Sequence, residues 1–177
     1  GNQEYRQHFG EFIAGSLEIS GIDTNWLSQA AARAQQEFDK QIAERPKSAR
    51  NYLMFMRFLN KTYTLNLAHL DRSLELFKKV NEVSPTRPHI YYEAGYSQFY
   101  LGRLFEGQGN KEKAEKYYEE SLANFQKAIN LNDRVVESYT NMIMILLATQ
   151  KSEKVQFYFD KMDELGLNYR REDDLNR

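Results

Sequence analysis

Apolar residues recur every three or four positions along almost the whole chain, and this spacing constrains its fold more than any other feature. Tyr5, Phe9, Phe12, Ile13 and Leu17 stand one helical turn or two apart, predicting a first helix that stops before Ser20-Gly21. Asp23 and Thr24 offer cap chemistry for a second helix, which carries Trp26, Leu27, Ala30, Ala31, Ala34, Phe38 and Ile42 and ends before Pro46. A third helix is predicted from Ser48 to Thr64 and a fourth from His69 to Val83. Ser84-Pro85-Thr86-Arg87-Pro88 breaks the pattern and sets up a fifth, since Pro suits a first turn. That helix runs from Pro88 to Glu106, and a sixth from Lys111 to Leu131 after Gly107-Gln108-Gly109-Asn110. Arg134 to Thr149 and Ser152 to Leu165 complete eight helices, with Gly166 as a C′ residue. Connections this short force neighbouring helices into antiparallel hairpins.

Composition agrees with an all-α reading. Val, Ile and Thr together make only 19 of 177 residues, too few to furnish a sheet. Hydrophobic residues at 41% and aromatics at 14% supply a core and argue against disorder. The chain has no Cys, which excludes disulfide scaffolds, zinc ribbons and thiol catalysis. A net charge of −1 gives no electrostatic reason to expect nucleic acid as a partner. The longest apolar run, Met142 to Ala148, is far shorter than the roughly 20 residues of a bilayer helix, so no span is expected. The chain opens on Gly1 rather than Met, and a longer natural protein is therefore expected.

The helical pattern also repeats. With Val136 as a first repeat position, Tyr139, Met142, Ile143, Leu146, Val155, Phe159 and Met162 fall on the core positions of a 34-residue helix-turn-helix unit. Ser73, Phe77 and Val80 take the closing positions of the unit that ends at Pro85, and Phe125 and Ala128 those of the unit that ends at Asp133. Leu101, Gly102, Phe105, Ala114 and Tyr118 satisfy the same frame seven residues out of phase. The interval from Pro85 to Asp133 is 48 residues, fourteen beyond one unit. Each helix of this hairpin should therefore carry about two extra turns, an insertion that keeps its buried face in place. Residues 48–166 resemble a tetratricopeptide array. The expected fold is an all-α solenoid of antiparallel hairpins with one elongated hairpin. Its expected parts are an N-terminal hairpin (1–47), three repeats (48–85, 86–133 and 134–166) and a charged tail (167–177).

A narrower resemblance lies in short motifs. Phe38-Asp39-Lys40-Gln41-Ile42-Ala43-Glu44-Arg45-Pro46 is followed by Ala49-Arg50-Asn51-Tyr52, and Ser84-Pro85-Thr86-Arg87-Pro88 by His89-Ile90-Tyr91-Tyr92-Glu93. These stretches resemble the soluble C-terminal repeat region of bacterial O-antigen ligase/polymerase-like membrane proteins. The resemblance implies a scaffold module joined to an upstream membrane segment and tethered to the bacterial inner membrane, with any glycosyl transfer done outside this chain. A free-standing adaptor for peptides or glycans is the alternative.

No catalytic, metal or cofactor site is expected. His8, His69 and His89 lie on separate helices without acids at ligand spacing. Gly102 to Gly109 lacks the Lys of a phosphate loop and follows a helix rather than a strand. Asn60-Lys61-Thr62 matches a glycosylation sequon but sits inside a predicted helix. What remains is the concave face, which in a tetratricopeptide array is lined by the first helix of each hairpin. Arg50, Leu53, Arg57, Asn60 and Lys61 are its candidates on the third helix, and Tyr92, Tyr96, Phe99 and Arg103 on the fifth. Glu137, Thr140, Met144 and Leu147 are those of the seventh. Cations beside aromatics suit an extended acidic peptide or protein segment, or a glycan stacked on the rings.

Overall fold

A computed structural model describes residues 2–19 and 21–167. Eight α-helices follow one another among them: α1 Asn2–Ser16, α2 Thr24–Glu44, α3 Ala49–Lys61, α4 Ala68–Val83, α5 Pro88–Gly107, α6 Lys111–Leu131, α7 Val136–Ala148 and α8 Val155–Glu164. The described residues contain no strand. Consecutive helices pack as hairpins, and α3 also touches α1 and α5, so the odd-numbered helices share one side of the array. The expected tail lies outside the described residues beyond Leu167.

Local chemistry sets the ends. Asp23 accepts the Asn25 amide at 2.7 Å, and Asn110 accepts the Lys113 amide at 3.2 Å, each holding a free donor of a first turn. Helix α3 ends at Lys61, three residues before the predicted Thr64. Its cause is Thr62, whose hydroxyl turns back to donate to the Phe58 carbonyl at 2.9 Å. The His69 ring seals this turn, with Nδ1 2.9 Å from Thr62 Oγ1, and burial pushes its imidazole pKa down. Helix α8 starts three residues later than expected, because Ser152–Lys154 forms a 3₁₀ turn. Gly166 takes a left-handed φ of 63° after α8.

Two apolar clusters form the core, and α5 belongs to both. Its first half packs Ile90, Tyr91 and Ala94 against Phe38, Phe55, Met56, Leu59, Leu76 and Val80. The second half joins Phe99 to Tyr118, Phe125, Tyr139, Met142 and Met162. Phe38 is stacked on Phe55 at 5.1 Å and tilted against Phe58 at 5.3 Å, tying α2 to α3.

Helices α5 and α6 hold 20 and 21 residues, against 13 and 10 in α7 and α8. Both phases of the middle repeat are occupied. A Cβ on Gly95 would lie 2.8 Å from the Phe125 ring, and one on Gly102 would lie 2.6 Å from the Tyr118 ring. One small-residue-under-ring contact thus occurs twice, seven residues apart on each helix. The extra turns lie at the α5–α6 turn, where Phe105 stacks flat on Tyr117 at 5.6 Å beneath Lys113. The α5 start does not project: the buried Tyr91 donates from its hydroxyl within 2.7 Å of both Asn81 Oδ1 and the Pro85 carbonyl.

Candidate functional site

The odd-numbered helices enclose a groove of about 550 Å³, walled by Arg57, Asn60 and Lys61 of α3, Tyr92, Glu93, Tyr96 and Tyr100 of α5, Tyr63, and Glu137 of α7. Four tyrosines run along it as a continuous ladder. Tyr63 stacks on Tyr100 at 4.4 Å, Tyr100 leans on Tyr96 at 5.6 Å, and Tyr96 meets Tyr92 edge-on at 5.2 Å. Tyr92 and Tyr96 in turn rest edge-on against Phe125 of α6, which fixes the ladder to the core.

Two hydroxyls of the ladder, on Tyr92 and Tyr100, are held in the protonated form. Desolvation pushes the Tyr100 hydroxyl up to about 12, and the neighbouring Tyr96, Tyr63 and Glu93 add to the shift. Burial raises Tyr92 as well, with Tyr96 and Glu93 contributing. These two rings therefore present apolar faces and protonated hydroxyls, suited to both stacking and hydrogen bonding.

Glu93 forms the base of the groove, only 3% exposed. Burial raises its carboxyl pKa, against the pull of Arg57, Asn60 and Lys61. Arg57 Nε donates to Glu93 Oε1 at 3.0 Å, while Asn60 Nδ2 donates to Glu93 Oε2 at 3.1 Å and to the Glu93 carbonyl at 2.8 Å. Ser97 Oγ sits 2.6 Å from Asn60 Oδ1 and 2.8 Å from Ser73 Oγ, extending the network to α4. The Arg57 guanidinium is held by one nitrogen, and its terminal amino groups have no protein partner among the described residues. Lys61 is exposed and likewise unpaired among them. Two cations thus stand over a carboxylate that the protein has already satisfied.

The structure brings together Arg57, Asn60, Lys61, Tyr92, Tyr96 and Glu137 of the predicted face. Others lie elsewhere. Phe99 is 8% exposed and packs on Tyr118 inside the core, because α6 covers that side of α5. Leu53 is buried. Arg103 is exposed outside the groove, one turn into the extra length of α5. Arg50 is turned toward α1, where Nη2 donates to Gln7 Oε1 at 3.4 Å. Thr140 and Met144 are exposed on α7 without lining the cavity. Tyr63, Glu93 and Tyr100 were not among the predicted residues. Tyr100 continues the four-residue spacing of Tyr92 and Tyr96, a signal present in the sequence, whereas Tyr63 reaches the groove from the turn after α3. Among the described residues no group of His, Asp and Glu gathers that could hold a metal ion, and no helix is long and apolar enough to cross a membrane.

No family model matches the chain, and no curated protein matches it. Solved structures do. The chain is similar to MamA MSR-1 C2, with a TM-score of 0.53 and 13% identity over 93% of this chain and 94% of that one. It is similar also to the MamA RS-1 ArsTM double mutant, with a TM-score of 0.53 and 16% identity over 94% of this chain and 85% of that one. Identities this low establish the fold alone. That fold is an all-α solenoid of the tetratricopeptide type.

Proposed function

We propose that this chain is a non-enzymatic interaction scaffold that holds an extended peptide segment with an acidic residue in the α3–α5–α7 groove. One observation carries the reading: the tyrosine ladder runs beside Arg57 and Lys61, whose free donors face no acceptor among the described residues. The likeness to solenoid scaffolds supports it at the level of fold. Rings anchor apolar parts of a ligand with little loss of side-chain entropy, and the cations hold a carboxylate in place.

Panning a random dodecapeptide library on the purified chain, then titrating the selected peptides, tests this. Selected peptides are expected to contain Asp or Glu and to lose at least tenfold in affinity for the Lys61→Glu variant. Selected peptides that bind the variant as tightly as the parent chain would overturn the reading.

The motifs shared with O-antigen ligase/polymerase-like proteins support a narrower proposal, that the scaffold is the soluble repeat region of such a membrane protein. The full reading frame of the gene decides between this and a free-standing adaptor. About ten upstream apolar spans are expected in the first case and none in the second. A glycan occupant of the groove is tested by adding oligosaccharide fragments to the same titrations.

A further inference from the structure

A second cavity, of about 310 Å³, opens between α1 and α3 and is lined by Gln7, Gly10, Glu11, Ala14, Phe38, Met54, Arg57, Phe58 and Lys61. Arg57 and Lys61 also wall the tyrosine groove, so the two cavities meet at the same pair of cations. The partly exposed Met54 gives the second one an apolar wall, while Phe38 and Phe58 are closed off at 2% and 3% exposure. Helix α1 lies close over it because Gly10 has no Cβ: one built there would stand 2.7 Å from the Phe38 ring.

Gln7 projects from α1 into this cavity and is only 6% exposed. Arg50 Nη2 donates to Gln7 Oε1 at 3.4 Å. Arginine has donors only, so this contact fixes which end of the amide is oxygen and leaves Nε2 on the other side. That Nε2 is buried without a partner among the described residues. A buried amide donor with nothing to bond is unfavourable, and a turn of the Gln7 side chain toward the cavity it lines lets an incoming carbonyl or carboxylate oxygen relieve it.

We infer that the α1–α3 cavity is a second subsite of the peptide groove, where Gln7 Nε2 donates to a main-chain carbonyl of the bound segment. This rests on the groove reading proposed above and extends it from three helices to four. The ligand it selects has a defined order. A carboxylate sits at the junction, between the Arg57 amino groups and the Lys61 ammonium. An apolar side chain on one flank packs against Met54, and an aromatic or proline side chain on the other lies against the tyrosines. Glu11 stands on the rim of one cavity and Glu137 on the rim of the other. Further acids at the ends of the segment are therefore repelled, so the subsite favours one central acid over a polyacidic run.

The peptides selected by panning supply the probe, and Gln7→Met the variant, since Met fills the same volume without a donor. It should bind those peptides about fivefold more weakly, roughly the worth of one neutral hydrogen bond. Its melting temperature should be unchanged or higher, because an orphaned donor has gone. Gln41 is the control: its amide is 2% exposed and also unpartnered, but it lines neither cavity. Gln41→Met should leave affinity unchanged. If Gln7→Met binds like the parent while Lys61→Glu does not, the second subsite is refuted and the groove stands. A fall of several degrees in the melting temperature of Gln7→Met also refutes it: the long 3.4 Å contact from the exposed Arg50 is worth too little for that, so Nε2 would then have a partner inside the fold. Unchanged binding in both variants, or a library without binders, overturns the groove and the subsite together.

Discussion

Helix α5 meets α6 on one side and α3 on the other, and the two seams are built from opposite chemistry. Against α6, glycines sit beneath rings: Gly95 under Phe125 and Gly102 under Tyr118. Ser121 Oγ reaches across to donate to the Gly95 carbonyl at 2.6 Å, a distance open only because the backbones approach closely. Against α3, the seam is a polar chain of Arg57, Glu93, Asn60, Ser97 and Ser73. The first gains mainly from buried area and close packing, with the Tyr118 hydroxyl donating to Glu106 at 2.9 Å toward its end. The second stabilises only while every member keeps its partner. The polar seam is also a wall of the groove, where Glu93 holds the Arg57 guanidinium in place. Close packing and the polar wall of the groove are thus divided between the two sides of one helix.

Breaking the glycine seam should have the largest effect. Gly95→Val puts a branched side chain where even a Cβ lies 2.8 Å from the Phe125 ring. That ring is itself pinned by Tyr92 and Tyr96. Overpacking should cost about 2–3 kcal/mol after the gain in helix propensity. At this chain length that is roughly 6–8 °C of melting temperature. Adding Phe125→Leu to Gly95→Val should cost less than the two single changes together, which a double-mutant cycle reads directly. Strict additivity would show that the glycine is not there for the ring.

Breaking the polar seam should cost less, and its cost should depend on pH. Arg57→Leu leaves Glu93 buried without its cation, at about 1–2 kcal/mol near neutral pH, because Arg57 is itself partly exposed. Burial already raises the Glu93 carboxyl above its ordinary 4.5, and losing Arg57 raises it further. The folded state then binds a proton more readily than the unfolded state does. The stability lost is therefore greatest above the folded pKa, and it is regained as pH falls through that pKa toward 4.5. Urea melts of parent and variant at pH 8 and pH 5 should converge at the lower pH. A gap that stays constant across this range would show that Glu93 is not the group responding.

The contrast between the seams also explains what was legible in the sequence. Helices, hairpins and the elongated pair follow from apolar spacing and from breakers such as Pro85, Pro88 and Gly109, which act within a few residues of themselves. The glycine seam left a trace too, in the two phases of the middle repeat. The polar seam was marked only in part: the repeat frame put Ser73 on a closing position and Arg57 and Asn60 on the concave face. Glu93 and Ser97 are ordinary helix-surface letters, and only the approach of α3, α4 and α5 buries them. Phe99 fell on the predicted groove face because spacing locates a helical stripe to within about one residue, and the cover from α6 decides its edge. Tyr63 lies in a turn, where helical spacing gives no direction.

The smallest effects should come from the far end of the polar chain, and they resolve its order. Ser97 Oγ faces Asn60 Oδ1 at 2.6 Å, Ser73 Oγ at 2.8 Å and the Glu93 carbonyl at 3.1 Å, and all three residues are buried. Ser97→Ala leaves both Asn60 Oδ1 and Ser73 Oγ without this partner, so about 1 kcal/mol should be lost. Ser73→Ala removes only the outermost hydroxyl. Ser97 keeps Asn60 and the Glu93 carbonyl, and the new methyl group fills the space in an otherwise apolar setting. The expected loss is then a few tenths of a kcal/mol or less. Urea denaturation of both single variants and the double variant measures the difference. In the double variant, Ser73→Ala should add nothing to Ser97→Ala, since the hydroxyl it removes has already lost its partner. Equal costs for the two serines would mean that Ser73 holds a bond of its own elsewhere, and the chain would then end at Ser97.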